Sequence, residues 1–171
     1  MYQVKINYNV GSEIVTLAEA KNYIRIETDQ DDLLVTNMII QARTIIENYI
    51  SSDIMPKSRS FFTDYVEESI DLSFAPVRVI SSISSKGVAL TSDQYEIKGL
   101  DKERIKFKEK HLEDVQVNYE TIGLNDEFLR QAVLQMVSTL YDNRSDIAFE
   151  SINTIPTETK NLISSYRKMF F

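Results

Sequence analysis

The 171-residue sequence has no cysteine, only four glycines and a single histidine. Without cysteine the chain cannot form a disulfide, a thiolate nucleophile or a thiolate metal site. Four glycines leave no glycine-rich loop of the kind that cradles phosphate groups. His111 stands alone between Lys110 and Leu112, so no Ser-His-Asp triad can be proposed around it. We therefore expect His111 to be a surface residue rather than a metal ligand or a catalytic base.

Long apolar runs are also missing from the sequence. No stretch approaches the roughly 18 apolar residues that a membrane span needs, and the N-terminal MYQVKINYNV has neither the basic start nor the apolar centre of a signal peptide. We therefore expect a soluble protein. The net charge of −7 repels phosphate backbones, which makes sequence-independent binding of nucleic acid unfavourable. The hydrophobic content of 43% is sufficient for a folded core.

The first residues alternate between apolar and polar side chains, which predicts a short strand from Val4 to Val10 that ends at Gly11-Ser12. We expect this strand to pair within the chain's own β region, or alternatively to add to the sheet edge of a neighbouring subunit. Thr16 and Glu19 have the spacing of a capping box. They predict a helix whose inner face includes Leu17, Ala20 and Ile24.

An acidic run, Glu27 to Asp32, lies at the start of a second predicted helix that extends from about Thr28 to Tyr49. An EF-hand calcium loop requires glycine at its sixth position and glutamate at its twelfth. Counting from Asp29 places Leu34 and Ile40 there, and a count from Asp31 fits no better. We instead expect Thr28 and Asp29 to cap the helix, with Asp31 and Asp32 in its first turn, where acids interact favourably with the helix dipole.

Between residues 51 and 123 the periodicity changes to short alternating runs separated by turn residues such as Pro76, Lys86-Gly87 and Ser92-Asp93. This pattern predicts five or six antiparallel strands. The basic stretch from Lys102 to Lys110 alternates around Ile105 and Phe107. It therefore indicates a strand with a charged outer face rather than a groove for nucleic acid.

Two further helices are predicted, one from Asn125 or Asp126 to about Asn143 and one that opens at Pro156. The fold class is therefore α+β: a bundle of about four helices with an antiparallel β insertion between the second and third. We expect one domain over residues 1–171, with a helical core at about 13–50 and 124–171 and the β insertion at about 56–122.

No catalytic constellation emerges from these elements. Three pairs of adjacent carboxylates could serve acid–base chemistry in principle, namely Glu67-Glu68, Glu113-Asp114 and Asp126-Glu127. Turns and a helix N-terminus account for all three more simply. We therefore expect a protein that is not an enzyme and that holds no catalytic residue, cofactor or metal.

Several stretches, in this order and spacing, resemble one known family. They are VTLAEAKNYIRIETDQDDLLVTNMIIQARTIIENYI, IDLSFAPVRVISSI, DQYEIK, VQVNYETIG, LRQAVLQMVSTLYDNR and IPTETKNLISSYR. The set, which covers about residues 14 to 167, is similar to the head–tail connector (adaptor) proteins of tailed bacteriophages and prophages, the type that docks under the portal. The chain departs from the family in two loops, with Asn125 where a proline is frequent and Lys86-Gly87 where Asp-Gly is frequent.

The resemblance implies a structural subunit of a homo-oligomeric ring, often of twelve copies, in the neck of the virion. Such a ring is assembled in the bacterial cytoplasm, binds the portal protein and meets the next neck or tail-completion protein. It extends the DNA channel, through which DNA passes without specific binding. The alternatives are another neck or tail-completion protein or a host-side binding module using its β face, and, less favoured, a small carboxylate-based enzyme.

The C-terminal segment SYRKMFF carries large apolar residues at a chain end. If the last helix docks into the portal, as the resemblance implies, its aromatic and basic residues are the preferred anchors; these are Tyr166, Arg167, Met169, Phe170 and Phe171. The alternative is that Phe170 packs under the domain's own helices. Arg144 is expected to interact with the dipole at the C-terminal end of the third helix, or alternatively to pair with an acid of the adjacent subunit.

Overall fold

The structure, a computed structural model, describes residues 1–143 and 155–167. The helices are α1 (Leu17–Tyr23), α2 (Asp32–Ile50), α3 (Glu127–Asp142) and α4 (Thr157–Ile163), followed by a 3-10 turn at Ser164–Tyr166. The strands are β1 (Tyr2–Asn9), β2 (Lys57–Val66), β3 (Ser69–Asp71), β4 (Val77–Ser85), β5 (Val88–Ala89), β6 (Tyr95–Lys98), β7 (Arg104–Phe107) and β8 (Leu112–Thr121). The protein is thus of mixed α+β class, as predicted.

The chain forms two compact units. One contains Met1–Ser12 and Met55–Gly123, which include all eight strands. The other contains Glu13–Ile54 and the described residues from Leu124 onward, which include the four helices. Within the described residues, no helix has the length and apolarity that a membrane crossing requires.

The helical unit begins with the predicted capping box. The Thr16 hydroxyl accepts a hydrogen bond from the Glu19 backbone N–H at 3.3 Å, and the Glu19 carboxylate accepts one from the Thr16 backbone N–H at 2.8 Å. Two N–H groups that a helix start leaves free are thereby satisfied, which explains why the short α1 begins at Leu17. Its residue Ala20 is fully buried.

The core of this unit lies between α2 and α3, which pack against each other. Buried side chains recur at steps of three and four along both helices, so each helix presents one apolar face. Each fully buried Val, Leu, Ile or Met contributes about 1.5–3 kcal/mol to folding. The buried apolar residues are Val35, Met38, Ile39, Ala42, Ile46 and Ile50 on α2, and Leu129, Ala132, Val133, Met136, Val137 and Leu140 on α3.

The β unit contains two antiparallel sheets, a division that the sequence pattern did not predict. The first has the strand order β1-β2-β8-β4-β5 and the second has the order β3-β7-β6. Residues from both sheets share one apolar core, including Phe61, Val117 and Tyr119 from the first sheet and Ile105 and Phe107 from the second. Seven strands lie between α2 and α3, rather than the five or six predicted, because the two-residue β5 is too short to leave a periodic signal.

The N-terminal strand β1 pairs antiparallel with β2 of the same chain, with Val4 opposite Phe61. This is the intramolecular option of the two that the sequence left open. Tyr2 stacks on Phe61, with ring centroids 5.6 Å apart. Strand β1 lies at one edge of its sheet, so it has a partner strand on one side only among the described residues.

Candidate interaction surfaces

The acidic run before α2 has a structural role that differs in detail from the prediction. Helix α2 begins at Asp32, not at Thr28, and the N-cap residue Asp31 makes no side-chain capping bond. The predicted capping by Thr28 and Asp29 is therefore wrong. Instead Lys21 of α1 donates to Asp29 at 2.8 Å and to Asp32 at 2.6 Å.

The bonds from Lys21 reduce the repulsion between the acids of this run. The hydrogen bond to Asp29, followed by that to Asp32, raises the pKa of Lys21, and the Lys21 ammonium lowers the pKa of the Asp29 carboxyl. Asp31 accepts a hydrogen bond from the Tyr141 hydroxyl at 2.7 Å. Three of the acids thus link α1, α2 and α3 within the helical unit.

In two of the carboxylate pairs considered for acid–base chemistry, one acid forms a salt bridge with a lysine. Glu68 pairs with Lys106 at 2.7 Å, and Glu113 with Lys86 at 2.6 Å. Each lysine lowers the pKa of its glutamate through this hydrogen bond. Such an environment favours the charged carboxylate over a proton-sharing acid.

The exposed strand β7 has the charged outer face that the sequence predicted. Ile105 and Phe107 are buried, whereas Arg104 forms a bidentate pair with Asp71 at 2.7 and 2.9 Å. Lys106 pairs with Glu68 as described above. The positive charges of this strand are therefore balanced by neighbouring acids, unlike those of a nucleic-acid groove.

His111 lies at the surface, as expected, and its imidazole contacts the Tyr65 hydroxyl. The two rings stack with centroids 5.9 Å apart. This contact is a local packing interaction between the start of β8 and the end of β2.

Of the residues predicted to bind the portal, Tyr166 and Arg167 lie in the part of the chain that the structure describes. The Tyr166 hydroxyl hydrogen-bonds to Asp126, the N-cap of α3, and this bond raises the pKa of Tyr166 to about 12 and lowers that of Asp126. The Arg167 guanidinium lies 5.2 Å from the centroid of the Tyr49 ring. Met169, Phe170, Phe171 and Arg144 lie outside the described residues, so their predicted contacts stay predictions.

Helix α2 distributes its charges in an unusual way, which the sequence analysis missed. Its Arg43 and Glu47 are buried, with only 4% and 2% of their side chains exposed. They pair at 2.6 Å, and Arg43 also donates to Glu13 at 2.7 Å. Burial opposes the charge of Arg43, but the hydrogen bond to Glu13 and the field of Glu47 outweigh it and raise the Arg43 pKa.

The exposed face of α2, by contrast, carries no charged side chain. Leu33 is 75% exposed and Ile40 is 42% exposed. The hydroxyls of Thr36 and Thr44 donate to backbone carbonyls one turn earlier, at 2.8 Å in both cases, which satisfies their polarity within the helix. The remaining exposed residues are Leu34, Asn37, Gln41 and Asn48. Depletion of charge is typical of the centre of a protein–protein interface.

A second candidate surface consists of the two open edges of the larger sheet. Strand β1 forms one edge. The other is part of β4, because β5 pairs only with Ser84 and Ser85. Between Arg78 and Ser82, the side of β4 away from β8 has no partner strand among the described residues.

An uncharged hydrogen-bonded ladder crosses the outer face of this sheet from one open edge to the other. Asn7 on β1 donates to Ser60 on β2 at 3.0 Å, and Ser60 donates to Asn118 on β8 at 2.6 Å. Asn118 in turn donates to Ser82 on β4 at 2.8 Å. The ladder therefore alternates asparagine and serine over four strands.

Comparison with known families identifies the class of protein to which these surfaces belong. The model of the phage gp6-like head-tail connector protein family matches residues 14–121. The chain belongs to this family. The family resemblance inferred from the sequence motifs is therefore confirmed. A search of the curated proteins finds no match to this connector chain.

Solved structures with the same fold come from gene transfer agent (GTA) particles. A chain in the neck of an empty GTA particle, computed with C6 symmetry, has a TM-score of 0.71 at 19% identity, covering 99% of the connector chain and 97% of its own. A chain in the virion of the native particle has a TM-score of 0.73 at 14% identity, with coverages of 98% and 96%. A third, from the native neck computed with C12 symmetry, has a TM-score of 0.67 at 17% identity and covers 96% of each chain. At these identities the likeness concerns the fold.

The buried ion pair and the polar ladder, which the sequence analysis missed, had weak signals in the sequence. Arg43 and Glu47 fall on the apolar face of the connector's second helix, where a charge requires a buried partner. The ladder residues Asn7, Ser60, Asn118 and Ser82 lie on strands far apart in sequence. Only the pairing of the strands brings these four residues together.

Proposed function

We propose that the connector chain is a structural subunit of a homo-oligomeric ring in the virion neck, which binds the portal protein and extends the DNA channel. The observation that carries the proposal is family membership over residues 14–121. The fold likeness to GTA neck chains, over nearly the full length of both partners, supports it. Those neck structures were computed with C6 and C12 symmetry, which is the kind of assembly the proposal requires of this chain.

The proposed arrangement of the subunit is one connector domain, in which a bundle of the four helices carries the strands β2 to β8 as an insertion between α2 and α3, while β1 joins them from the N-terminus. The order of the elements along the chain supports this arrangement. The uncharged exposed face of α2 and the open edges of the larger sheet supply surfaces for contacts with neighbouring proteins.

The proposed role is mechanical rather than catalytic. One acid of each carboxylate pair considered for chemistry has a partner: Glu68 and Glu113 each pair with a lysine, and Asp126 bonds to the Tyr166 hydroxyl. The net charge of −7 suits a channel through which DNA slides without adhering, because like charges repel.

The decisive experiment is co-assembly with the purified portal protein of the same phage or prophage, viewed by negative-stain electron microscopy. We expect rings of the connector chain stacked coaxially on the portal. A chain that stays monomeric in the presence of portal, with no added density on the portal ring, would contradict the proposal. A portal incubated alone is the control.

We further propose that the C-terminal residues dock into the portal, with Tyr166, Arg167, Met169, Phe170 and Phe171 as anchors. Tyr166 and Arg167 also contact the protein's own helices, at Asp126 and Tyr49 respectively. A truncation after Arg167 preserves both contacts. It therefore separates docking from folding better than a truncation before Tyr166.

We expect the protein that ends at Arg167 to keep the circular dichroism spectrum and melting temperature of the full chain, and to lose portal binding in a pull-down. Glu158→Ala, which changes an exposed residue of α4, is the matched control and retains binding. Unchanged affinity of the truncated protein would reject the docking role. Unfolding of the truncated protein would favour a core role for the last residues.

A further inference from the structure

We propose that neighbouring connector subunits join edge to edge, with β1 of one copy paired antiparallel to β4 of the next copy. The inference rests on the proposed ring and names the surface through which its subunits meet. It concerns the β unit alone and commits to a second copy of this chain as the partner.

The direction of the strands favours this pairing. Strands β1 and β2, β2 and β8, and β8 and β4 are each antiparallel. Strand β4 therefore runs opposite to β1, and placing the β1 of a second copy beside it continues the antiparallel alternation. Antiparallel addition to an open edge is a common mode of protein association, because backbone N–H and C=O groups of the edge gain partners.

The side chains at the two edges are complementary. One row of the sheet runs through Ile6, Arg59, Tyr119 and Ile80, and it begins and ends with isoleucine. Ile6 is 46% exposed at its edge, and Ile80 is half-buried at the other. Juxtaposing the ends of this row places isoleucine against isoleucine.

The neighbouring row also has a large apolar side chain at each edge. It runs through Tyr8, Ser58, Glu120 and Val79. Tyr8 is 58% exposed and Val79 is 46% exposed. Their juxtaposition forms an aromatic–β-branched pair, which is a stabilising cross-strand combination.

The polar ladder has matching ends as well. Its order of asparagine, serine, asparagine and serine finishes with Ser82 at the β4 edge and begins with Asn7 at the β1 edge. In the proposed register Lys5 of a second copy lies opposite Ser82, as it lies opposite Ser60 within one chain. Asn7 of that copy can then reach Ser82 by the same diagonal contact that it makes with Ser60. The ladder then becomes periodic from one subunit to the next.

Irregularities in the two edge strands provide specificity. The register shifts between Ile6 and Tyr8 in β1, and in β4 it shifts between Val77 and Val79 and again between Ile80 and Ser82. Bulges bend an edge strand and prevent its pairing with a regular partner. Both edges are therefore irregular beside the rows of the proposed contact, which disfavours their pairing with a regular strand of an unrelated protein.

The proposed contact uses different surfaces on the two partners, so it is heterologous. Repeated head-to-tail contacts of this kind close into a ring when the rotation between copies permits it. The contact is thus compatible with a cyclic neck component, whereas a pairing of β1 with β1 would terminate at a dimer.

The absence of cysteine from the sequence permits a direct test by disulfide crosslinking. In the variant Ile6→Cys/Ile80→Cys, two strands separate the thiols within one chain, a distance of about 14 Å. A disulfide requires Cα atoms within about 7 Å. Any crosslink must therefore form between chains.

The variant is assembled on the portal, oxidised and separated on a non-reducing denaturing gel. We expect a series of covalent multimers that extends toward the size of the ring, whereas each single variant yields dimers at most. Ile6→Cys/Ile97→Cys is the matched control, because Ile97 is 45% exposed on the edge strand of the other sheet. This variant should give no covalent multimers beyond dimers. The pair Tyr8→Cys/Val79→Cys tests the neighbouring row independently.

The possible failures are distinguishable. If rings are visible on the portal but neither designed cysteine pair gives the series of covalent multimers, the edge-to-edge contact is overturned and the connector role stays intact. Covalent multimers from the control pair equal to those from the designed pairs would also overturn the edge-to-edge contact. If the unmodified chain forms no ring on the portal, the proposed function fails and this inference fails with it.

Discussion

Removal of the Glu47 carboxylate should destabilise the helical unit severely. This side chain is only 2% exposed. One of its oxygens accepts from Arg43 at 2.6 Å and the other accepts from the Ile54 backbone N–H at 2.9 Å. The substitution Glu47→Ala removes both interactions at once.

The magnitude follows from what remains buried after the substitution. Breaking a buried ion pair from one side costs about 3–5 kcal/mol, because the other charge is left without its partner. Arg43 retains Glu13, whose side chain is 27% exposed, so the lower part of this range applies. The stranded N–H of Ile54, at about 1–3 kcal/mol, overlaps with this cost. We therefore expect a loss of about 3 kcal/mol, a large share of a typical total of about 5–15 kcal/mol.

The assay is urea denaturation followed by far-UV circular dichroism, with the free energy of unfolding extrapolated to water. Glu47→Gln should fall between Glu47→Ala and the unmodified protein, since its amide oxygen still accepts from Ile54. The double variant Arg43→Met/Glu47→Leu should lose less than the sum of its single substitutions, because neither charge is stranded. Asn48→Ala, an exposed neighbour, is the matched control and should change stability by no more than about 0.5 kcal/mol.

A loss below about 1 kcal/mol for Glu47→Ala would refute this reasoning. So would strict additivity of the Arg43 and Glu47 substitutions. Either result would mean that the pair is hydrated or open in solution rather than buried and hydrogen-bonded.

Three further predictions test other parts of the structure. Tyr166→Phe should destabilise the protein at neutral pH and return the lowered Asp126 pKa toward its ordinary value of 3.8, as measured by NMR titration of Asp126. Because that pKa is depressed in the folded state, the stability difference should shrink as the pH falls through it, and a difference independent of pH would contradict the bond. Ile6→Lys should block ring formation on the portal without lowering the melting temperature, whereas Ile97→Lys leaves rings intact in negative-stain images; equal effects would exclude a specific role for β1. Thr16→Ala should cost about 1 kcal/mol by loss of the capping box, as measured by thermal denaturation with the exposed Ala18 changed to Ser as the control.

The predictions from sequence succeeded best where the deciding interactions are local. The Thr16–Glu19 capping box spans four consecutive residues, and its pattern predicted α1 correctly. The apolar spacing of α2 and α3 likewise identified most of their buried residues, although Leu34 and Phe128, which follow the same spacing, are exposed. A periodic pattern reports which face of an element is buried, because that face repeats with the geometry of the helix or strand.

The start of α2 was predicted wrongly because the deciding interaction is not local. Lys21 lies on another helix and binds Asp29 and Asp32. Those acids consequently serve an inter-helix contact instead of the capping role that their sequence position suggested. Side-chain capping preferences describe an isolated helix end and do not include a cation supplied by a neighbouring helix.

The amino-acid sequence by itself determined the α+β class, the family, the acidic and cysteine-free character and most of the buried faces of α2 and α3. Only the tertiary structure decided that the strands divide into two sheets, that β1 pairs with β2, and that Asn7, Ser60, Asn118 and Ser82 form one ladder across two open edges. The physical reason is that alternation along a strand specifies its buried face but not its partner. The partner is selected by packing among residues that are distant along the chain.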